Sequence, residues 1–236
     1  MSANTRTSRR VLHTSDLHIL SLDDHGCQTL SQVVDLVIQQ HVDLLLITGD
    51  LFDQNRIDDA VLDFVHREFL RISAPVVILP GNHDCLVGDS VYHRHHWTVN
   101  GNVRIFRDNQ GEIINFPELG INIWGKPIDT YFDVRPMEGL PQPEMNGSWN
   151  IATAHGLVVK HMPRHMRSYL ITEDELNGTK WDYIALGHMT IFEHVWNNPI
   201  TYYSGSATEK GTLALVDFNE MTGVKVTRYD IIKDQR

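Results

Sequence analysis

Short segments spaced along the sequence carry side chains of the kinds that bind divalent metal ions. The candidate donors are Asp16, His18, Asp50, Asn82, His83, His155 and His188. Carboxylate, imidazole and amide donors without a thiolate suit hard to borderline ions such as Mn, Fe, Zn, Ni or Mg. One ion cannot use so many donors. Two ions about 3.5–4 Å apart that share a carboxylate would use them, and such pairs promote displacement at phosphorus.

Each of these residues, taken singly, is more typical of a helix cap or of a solvated surface than of a metal site. Their joint placement favours a site, because every segment directly follows a short apolar run. Glycine stands beside Asp50, Asn82, His155 and His188. Tight turns that bring the backbone close to a ligand favour residues without a Cβ atom.

The apolar runs predict the elements that position these donors. Arg10–Thr14, Val42–Thr48 and Pro75–Leu79 are short and rich in branched residues, which is typical of buried strands. Between them, Leu30–Ile38 and Val61–Phe69 carry apolar residues at helical spacing. The order β-α-β-α-β predicts a parallel sheet whose ligand crevice lies at the carboxyl ends of the strands.

The second half of the chain changes character, because short strand patterns follow one another there. The predicted strands are Val103–Phe106, Glu112–Phe116, Ile121–Trp124, Asn150–Ala154, Tyr183–Leu186, Glu193–Trp196, Thr201–Ser204, Thr212–Phe218 and Val224–Ile231. The segment Gly125–Trp149 is rich in Pro and Gly and predicts a loop that forms one wall of a pocket. We expect an α/β fold, with residues 1–9 as a flexible tail and residues 10–236 as a single domain.

Composition sets limits on function. The chain has 236 residues, 42% of them hydrophobic and 21% charged, as expected of a globular protein. Without a secretory leader or a long apolar run, we expect a cytoplasmic protein with no membrane association. The formal charge of −10 opposes contact with a long polyanion except through a local basic patch. Cys27 and Cys85 are expected to be free thiols, and the oligomeric state stays open.

The motifs together resemble a known family. The series Asp-x-His, Gly-Asp-x-x-Asp, Gly-Asn-His-Asp, Ala-His-Gly and Gly-His, between Arg10 and Gly211, resembles the calcineurin-like metallophosphoesterases. The resemblance implies two mixed β-sheets in a sandwich flanked by α-helices. It also implies a phosphoester hydrolase with two divalent cofactor ions, for which Mn or Fe is favoured and Zn, Ni or Mg is an alternative.

The same resemblance implies a role for each motif residue. Asp16 and His18 would bind the first ion, Asp50 would bridge both ions, and the second ion would be held by Asn82, His155 and His188. A water or hydroxide that bridges the ions would attack phosphorus in line. The catalytic residues beside Asp50 would be His83, near the leaving oxygen, and Asp84, which would orient the His83 ring. Asp53 is a further candidate, as the support of a metal-binding histidine.

One position departs from the family pattern. The usual ending Gly-His-x-His is replaced by Gly187-His188-Met189-Thr190, so that Thr190 offers a neutral hydroxyl in place of an imidazole. Three interpretations stay open at this point. The first ion binds more weakly through its other ligands and solvent; or His194 or His161 takes the position; or the site holds one ion and works poorly.

The particular residues within two of the motifs give information about the substrate. Leu46–Asp53 and Tyr203–Ser206 resemble the DNA-repair exonuclease branch of SbcCD nuclease subunits. Because only 30 residues follow Ser206 and the chain is acidic, we expect a phosphodiesterase for small or nucleotide-like substrates. The alternatives are a DNA exonuclease or endonuclease of the SbcCD type that lacks its capping domain, and a weakly active or inactive metal-binding scaffold.

Two further segments are candidates for substrate contacts. Lys160–Arg167 carries three fixed positive charges and two histidines, so it would either grip a phosphate or form a solvated basic loop. Tyr92–Trp97 follows the Gly-Asn-His-Asp motif. Its aromatic rings would either offer stacking faces above the site or pack at the start of a helix.

Overall fold

The computed structural model describes residues 6–97, 101–162 and 169–231. Within these ranges the strands are β1 (Arg9–Thr14), β2 (Leu44–Thr48), β3 (Val76–Leu79), β4 (Val103–Ile105), β5 (Glu112–Phe116), β6 (Ile121–Gly125), β7 (Trp149–His155), β8 (Leu157–Val159), β9 (Leu170–Thr172), β10 (Tyr183–Gly187), β11 (Phe192–Asn197), β12 (Ile200–Ser204), β13 (Thr212–Asn219) and β14 (Gly223–Asp230). The helices are α1 (His25–Gln39), α2 (Asp59–Phe69), α3 (Val91–Arg94) and α4 (Glu173–Leu176).

The first sheet has the strand order β14-β13-β1-β2-β3-β4, with β1 to β4 parallel and the β13–β14 hairpin antiparallel at one edge. Helices α1 and α2 cover its outer face. Helix α1 begins where the Asp24 carboxylate accepts a hydrogen bond from the Cys27 backbone N–H. Its apolar stripe, which includes Leu30, Val33 and Val37, is buried against β1, β2 and β3.

The second sheet has the strand order β11-β12-β10-β7-β6-β5. Its four central strands are parallel, and β11 and β5 pair antiparallel at the two edges. Along β2 and β3, every second side chain points away from the helices and packs against β6, β7 and β10. These side chains form a core between the sheets, which includes Leu44, Leu46, Val77, Ile123 and Ile151. The carboxyl ends of the parallel strands of both sheets therefore meet at one side of the sandwich.

The outer face of the second sheet is covered differently from that of the first. Ile171 of β9, Leu176 of α4 and Met137 of the long loop pack against Ala152 and Ile184. The expected sandwich of two mixed sheets with flanking helices is confirmed, with the two longer helices on the first sheet. Three short elements, β8, β9 and α4, were not predicted from the sequence, and each has only three or four residues. In the described residues no helix is long and apolar enough to cross a bilayer.

Residues 6–9 depart from the expected flexible tail. The Arg6 guanidinium lies 2.7 Å from an Asp182 carboxylate oxygen and 4.6 Å above the Trp149 ring. The Trp149 indole N–H donates to the carbonyl oxygen of Thr7 at 2.8 Å, and β1 already begins at Arg9. The Arg6 guanidinium thus pairs with a carboxylate on one side and stacks on an aromatic ring on the other. These contacts hold the segment against the second sheet.

Candidate metal centre

The candidate donors follow five parallel strands and lie at one side of the sandwich. Backbone hydrogen bonds join the turns that carry them: the Asp16 N–H donates to Gly49 at 3.1 Å, and the His18 N–H donates to Asp50 at 3.0 Å. Across the two sheets, the His188 backbone N–H donates to the Asp16 carboxylate at 3.1 Å. Residues 172 positions apart are thereby brought into direct contact.

One group of donors is linked by short distances between the two sheets. His155 Nε2 lies 3.1 Å from Asp50 Oδ2 and 3.0 Å from Asn82 Oδ1, and His188 Nδ1 lies 3.0 Å from the same amide oxygen. The other ring nitrogen of His155 donates to the carbonyl oxygen of Thr48 at 2.8 Å. That hydrogen bond leaves the Nε2 lone pair of neutral His155 free for a cation.

A second group shares Asp50 with the first. His18 Nε2 lies 3.8 Å from Asp16 Oδ1 and 3.9 Å from Asp50 Oδ2, and the three residues offer donor atoms within 4.8 Å of one another. The opposite ring nitrogen of His18 is 3.1 Å from Asp53 Oδ1. Asp53 thus holds the ring with Nε2 toward the two carboxylates.

The backbone is strained at these donors. Asp16, His18, Asp50 and His188 have φ angles of 54°, 50°, 53° and 90°, in the left-handed region that residues other than glycine seldom adopt. The neighbouring glycine, Gly49, makes room for the site, because a Cβ atom there would lie 2.1 Å from His155 Nδ1. Local strain of this kind persists only where the surrounding structure holds it, and it concentrates at functional sites.

The electrostatics of the site fit a cation. Burial opposes the charged imidazole, yet the Asp50 carboxylate raises the pKa of the fully buried His155 to about 9. The pKa of His18 is likewise raised to about 9, where the Asp16 and Asp50 carboxylates outweigh burial. In return, the His155 charge overcomes burial and lowers the pKa of Asp50. Buried carboxylates that draw protons onto neighbouring ligands carry negative charge that divalent ions would neutralise.

The comparisons with known proteins identify the family. The model of a family described as "Calcineurin-like phosphoesterase" matches residues 9–219. The chain belongs to the calcineurin-like phosphoesterase family. The resemblance drawn from the motifs is thereby confirmed. Metallophosphoesterases of this family are metal-dependent phosphoester hydrolases.

Curated relatives belong to the SbcCD-type branch, which the residues of the motifs indicated. The uncharacterized metallophosphoesterase YhaO of Bacillus subtilis is 26% identical over 208 residues, covering 78% of this chain and 49% of the relative. The DNA double-strand break repair protein Mre11 of Sulfurisphaera tokodaii is 34% identical over 85 residues, covering 32% of this chain and 22% of that protein. The chain therefore spans about half the length of the first relative and less of the second.

Solved structures show the same fold. The protein TT1561 of Thermus thermophilus superposes with a TM-score of 0.65 at 11% identity, covering 96% of this chain and 100% of that one. A 5′-nucleotidase precursor from the same organism superposes with a TM-score of 0.55 at 12% identity, covering 96% of this chain and 54% of the other. The architecture described above is therefore that of the family.

The family motif Gly-Asn-His-Asp places His83 at the rim of the site. Its side chain is 42% exposed, and its ring lies edge-on to that of His18 with centroids 4.6 Å apart. The backbone N–H of His83 donates to Asp50 Oδ1 at 3.0 Å, and ring Nδ1 lies 2.9 Å from the Asp53 carbonyl oxygen. The ring is thus oriented by Asp53 through its Nδ1 atom.

Asp84 does not orient the His83 ring, contrary to the sequence analysis. Its carboxylate is fully buried and accepts hydrogen bonds from the backbone N–H groups of Gly81 at 2.8 Å and Phe52 at 3.1 Å, and from the Tyr92 hydroxyl at 2.6 Å. The reason is geometric, since the turn directs His83 outward and Asp84 inward. Asp84 ties the turn that bears Asn82 to the turn after Asp50.

We expect Tyr92→Phe to loosen this tie without unfolding the protein, because only the hydroxyl is removed from a buried ring. A buried carboxylate that loses a hydrogen-bond partner costs about 1–3 kcal/mol. Manganese affinity should fall roughly 10–100-fold, the usual effect of losing a group that positions metal ligands. Isothermal titration with Mn measures the affinity, and thermal unfolding of the metal-free protein measures the stability. Tyr202→Phe, which removes a half-buried hydroxyl from β12, is the control; unchanged Mn binding in Tyr92→Phe would contradict the prediction.

The other aromatic residues expected near the site need correction. Tyr92 is 0% exposed and Trp97 is 1% exposed, and both pack with Phe52 in a core cluster. They therefore cannot offer stacking faces to a substrate, and the packed alternative is the correct one. Of the basic segment Lys160–Arg167, residues 163–167 lie outside the described part of the chain, whereas Lys160 is exposed.

Thr190, which stands where the family has a histidine, is half-buried. The Thr190 carbonyl oxygen accepts a hydrogen bond from the Ser206 N–H at 3.1 Å. His194 is engaged elsewhere: its ring stacks on Tyr202 with centroids 4.5 Å apart, and its Nε2 lies 2.9 Å from the Trp196 carbonyl oxygen. His161 is exposed. Neither contact of His194 favours the interpretation in which it replaces the missing ligand.

Supporting residues missed by the sequence analysis lie in the Tyr203–Ser206 motif. The Ser206 hydroxyl donates to the Asp16 carbonyl oxygen at 2.7 Å, and the Ser204 hydroxyl lies 3.2 Å from that of Ser15. The motif therefore braces the strained turn of the first donor. Serines directly after a strand are a sequence signal for hydrogen bonds to nearby backbone groups.

Proposed function

We propose that the protein is a phosphodiesterase that uses two divalent ions to hydrolyse small or nucleotide-like substrates. The observation that supports this most strongly is the pair of donor groups that share Asp50. Asp16, His18 and Asp50 would hold one ion, and Asp50 with Asn82, His155 and His188 would hold the other. When bound, the ions would polarise the phosphoryl oxygens and supply a nucleophile at neutral pH.

The residues of the chain contribute positioning and proton transfer. Asp53 holds His18 through its carboxylate and His83 through its carbonyl oxygen. With Nδ1–H donated to that carbonyl, a doubly protonated His83 carries its second proton on Nε2. The Asp53 carboxylate, 3.5 Å from Nδ1, stabilises the resulting charge. We propose that His83 donates this proton, or a hydrogen bond, to the leaving oxygen.

The acidic character of the chain supports a small substrate over a long nucleic acid. A formal charge of −10 disfavours a polyanion in solution. A single phosphodiester held at two divalent ions requires no extended basic surface. Mn or Fe suits the mixed oxygen and nitrogen donors, as do Zn, Ni and Mg to differing degrees.

A set of three substrates tests the proposal. Purified protein with Mn would be incubated with bis-p-nitrophenyl phosphate, p-nitrophenyl phosphate and linear DNA. Turnover of the diester without loss of DNA is the expected result. Degradation of DNA would favour the nuclease alternative, which the likeness to the DNA repair protein Mre11 supports. Lack of turnover with every ion would favour the scaffold alternative, which the loss of an imidazole at Thr190 supports.

We expect Thr190→His to tighten the first ion. An added imidazole at this position would complete the family's ligand set, and we expect Mn affinity at the weaker site to rise at least about tenfold. Isothermal titration of the metal-free protein should resolve one tight and one weak ion in the wild type and bring the two closer in the variant. Thr190→Val is the matched control and should bind as the wild type does. Two equally tight ions in the wild type would mean that another group already fills the position.

A further inference from the structure

Two exposed aromatic side chains stand together in the loop between β6 and β7. Tyr131 is 65% exposed and Phe132 is 81% exposed. We call this pair the aromatic lip. Large apolar side chains left in solvent lose the favourable free energy of burial, and adjacent ones at the edge of a crevice are typical of ligand contacts.

The aromatic lip is attached to the loop that carries His83. The Ile128 N–H donates to the Pro80 carbonyl oxygen at 3.2 Å, and the Leu86 N–H donates to the Ile128 carbonyl oxygen at 2.7 Å. These two bonds bracket the Gly-Asn-His-Asp motif. Tyr131 itself reaches Asn55, whose amide nitrogen lies 3.4 Å from its hydroxyl. The same amide donates to the carbonyl oxygen of Cys85 at 2.9 Å, just beyond His83 in the chain.

The loop that bears the lip also reaches the end of β7, because a Cβ atom added at Gly156 would lie 3.0 Å from Pro136 Cγ and 2.1 Å from the Tyr169 carbonyl oxygen. The Tyr169 ring stands edge-on to that of His188, with centroids 6.1 Å apart. The loop that bears the lip is therefore hydrogen-bonded to the His83 loop at one point and lies beside Gly156, next to His155, at another.

We propose that the aromatic lip is a stacking subsite for a flat, uncharged ring on the substrate, of which a nucleobase is the biological example. This inference rests on the proposed function and names its substrate class. A phosphoryl group held at the donors would place one ester substituent on the His83 side, toward Tyr131 and Phe132. Asp129 and Asp133 flank the lip, so their negative charge opposes a second phosphate there and favours a neutral ring. Stacking on aromatic side chains accepts any base, since every base has a π-face.

The test compares two phosphates that differ only by the ring system. Binding of AMP and of ribose 5-phosphate to the Mn-loaded protein would be measured by isothermal titration. Base stacking on an aromatic side chain is expected to make AMP bind about tenfold more tightly. Phe132→Ala and Tyr131→Ala should reduce this preference, whereas Tyr131→Phe, which keeps the ring, should retain it. Met145→Ala removes a comparably exposed apolar side chain from the same loop and should change neither constant.

Equal affinity of the wild type for the two phosphates would overturn the proposal, as would a preference for AMP that survives Phe132→Ala combined with Tyr131→Ala. Failure of the proposed function has a separate signature. A protein that hydrolyses bis-p-nitrophenyl phosphate yet binds both phosphates equally retains the function and lacks the subsite. A lip-dependent preference for AMP without hydrolysis of any diester would retain the subsite and remove the function.

Discussion

Asp50→Asn is expected to abolish hydrolysis of bis-p-nitrophenyl phosphate. Asp50 belongs to both donor groups, is 2% exposed and lies 3.1 Å from His155 Nε2. The amide keeps the size of the side chain and an oxygen for the backbone N–H of His83, but it removes the charge that both ions would share. Loss of several kcal/mol of transition-state stabilisation corresponds to a fall of about 10³-fold or more in kcat/KM. Initial rates at saturating Mn give this number, and metal analysis should show fewer bound ions per chain.

The matched control is Asp59→Asn, which removes the same charge from an aspartate of α2 whose side chain is 84% exposed. It should change neither turnover nor metal content. If Asp50→Asn retained two tightly bound ions and wild-type turnover, a bridging role for Asp50 would be wrong.

His83→Ala is expected to keep the metals and lose turnover. The His83 ring is held by Asp53 at the rim and belongs to neither of the two donor groups, so its removal leaves both groups intact. General acid catalysis typically contributes about 10²–10⁴-fold, so kcat should fall by that order for a diester with a poor, alkoxide leaving group. For p-nitrophenolate, which leaves without a proton, the loss should be about tenfold at most. Steady-state rates with the two leaving groups measure the difference.

His194→Ala serves as the control, because that exposed ring stacks on Tyr202. It should retain both turnover and metals. Depletion of metal in His83→Ala would show that this residue is a principal ligand. An equal loss for both leaving groups would show that it does not act on the leaving oxygen.

The parallel half of the fold followed from the sequence because local and global signals agree there. Val76–Leu79 is fully buried, so its apolar run is unbroken, and the stripe of α1 has a clear helical period. The carboxyl ends of such strands share an edge by topology, which is why donors far apart in sequence were expected to converge. The strand β9 and the helix α4 were missed, although the capping box of Thr172 and Glu175 is a local signal for the latter.

The finer arrangement of the site depends on side-chain direction, which spacing alone does not specify. Asp84 is adjacent to His83 and was expected to support it, but successive residues of that turn point to opposite sides. Asp53 lies 30 positions away and takes that place. In the same way Tyr92 follows the motif closely, yet its ring points into the core, where its hydroxyl meets Asp84. Chemistry and strand order predicted which residues meet, whereas packing decides which atoms face one another.

The most direct test of a two-ion site that shares Asp50 is a crystal structure of the Mn-loaded protein with anomalous scattering recorded at the manganese edge. Two peaks about 3.5–4 Å apart are expected. One should be bound by Asp16, His18 and Asp50, and the other by Asp50, Asn82, His155 and His188. Strong anomalous peaks that lie away from Asp50, or a fully loaded protein without a peak between the two sheets, would contradict it.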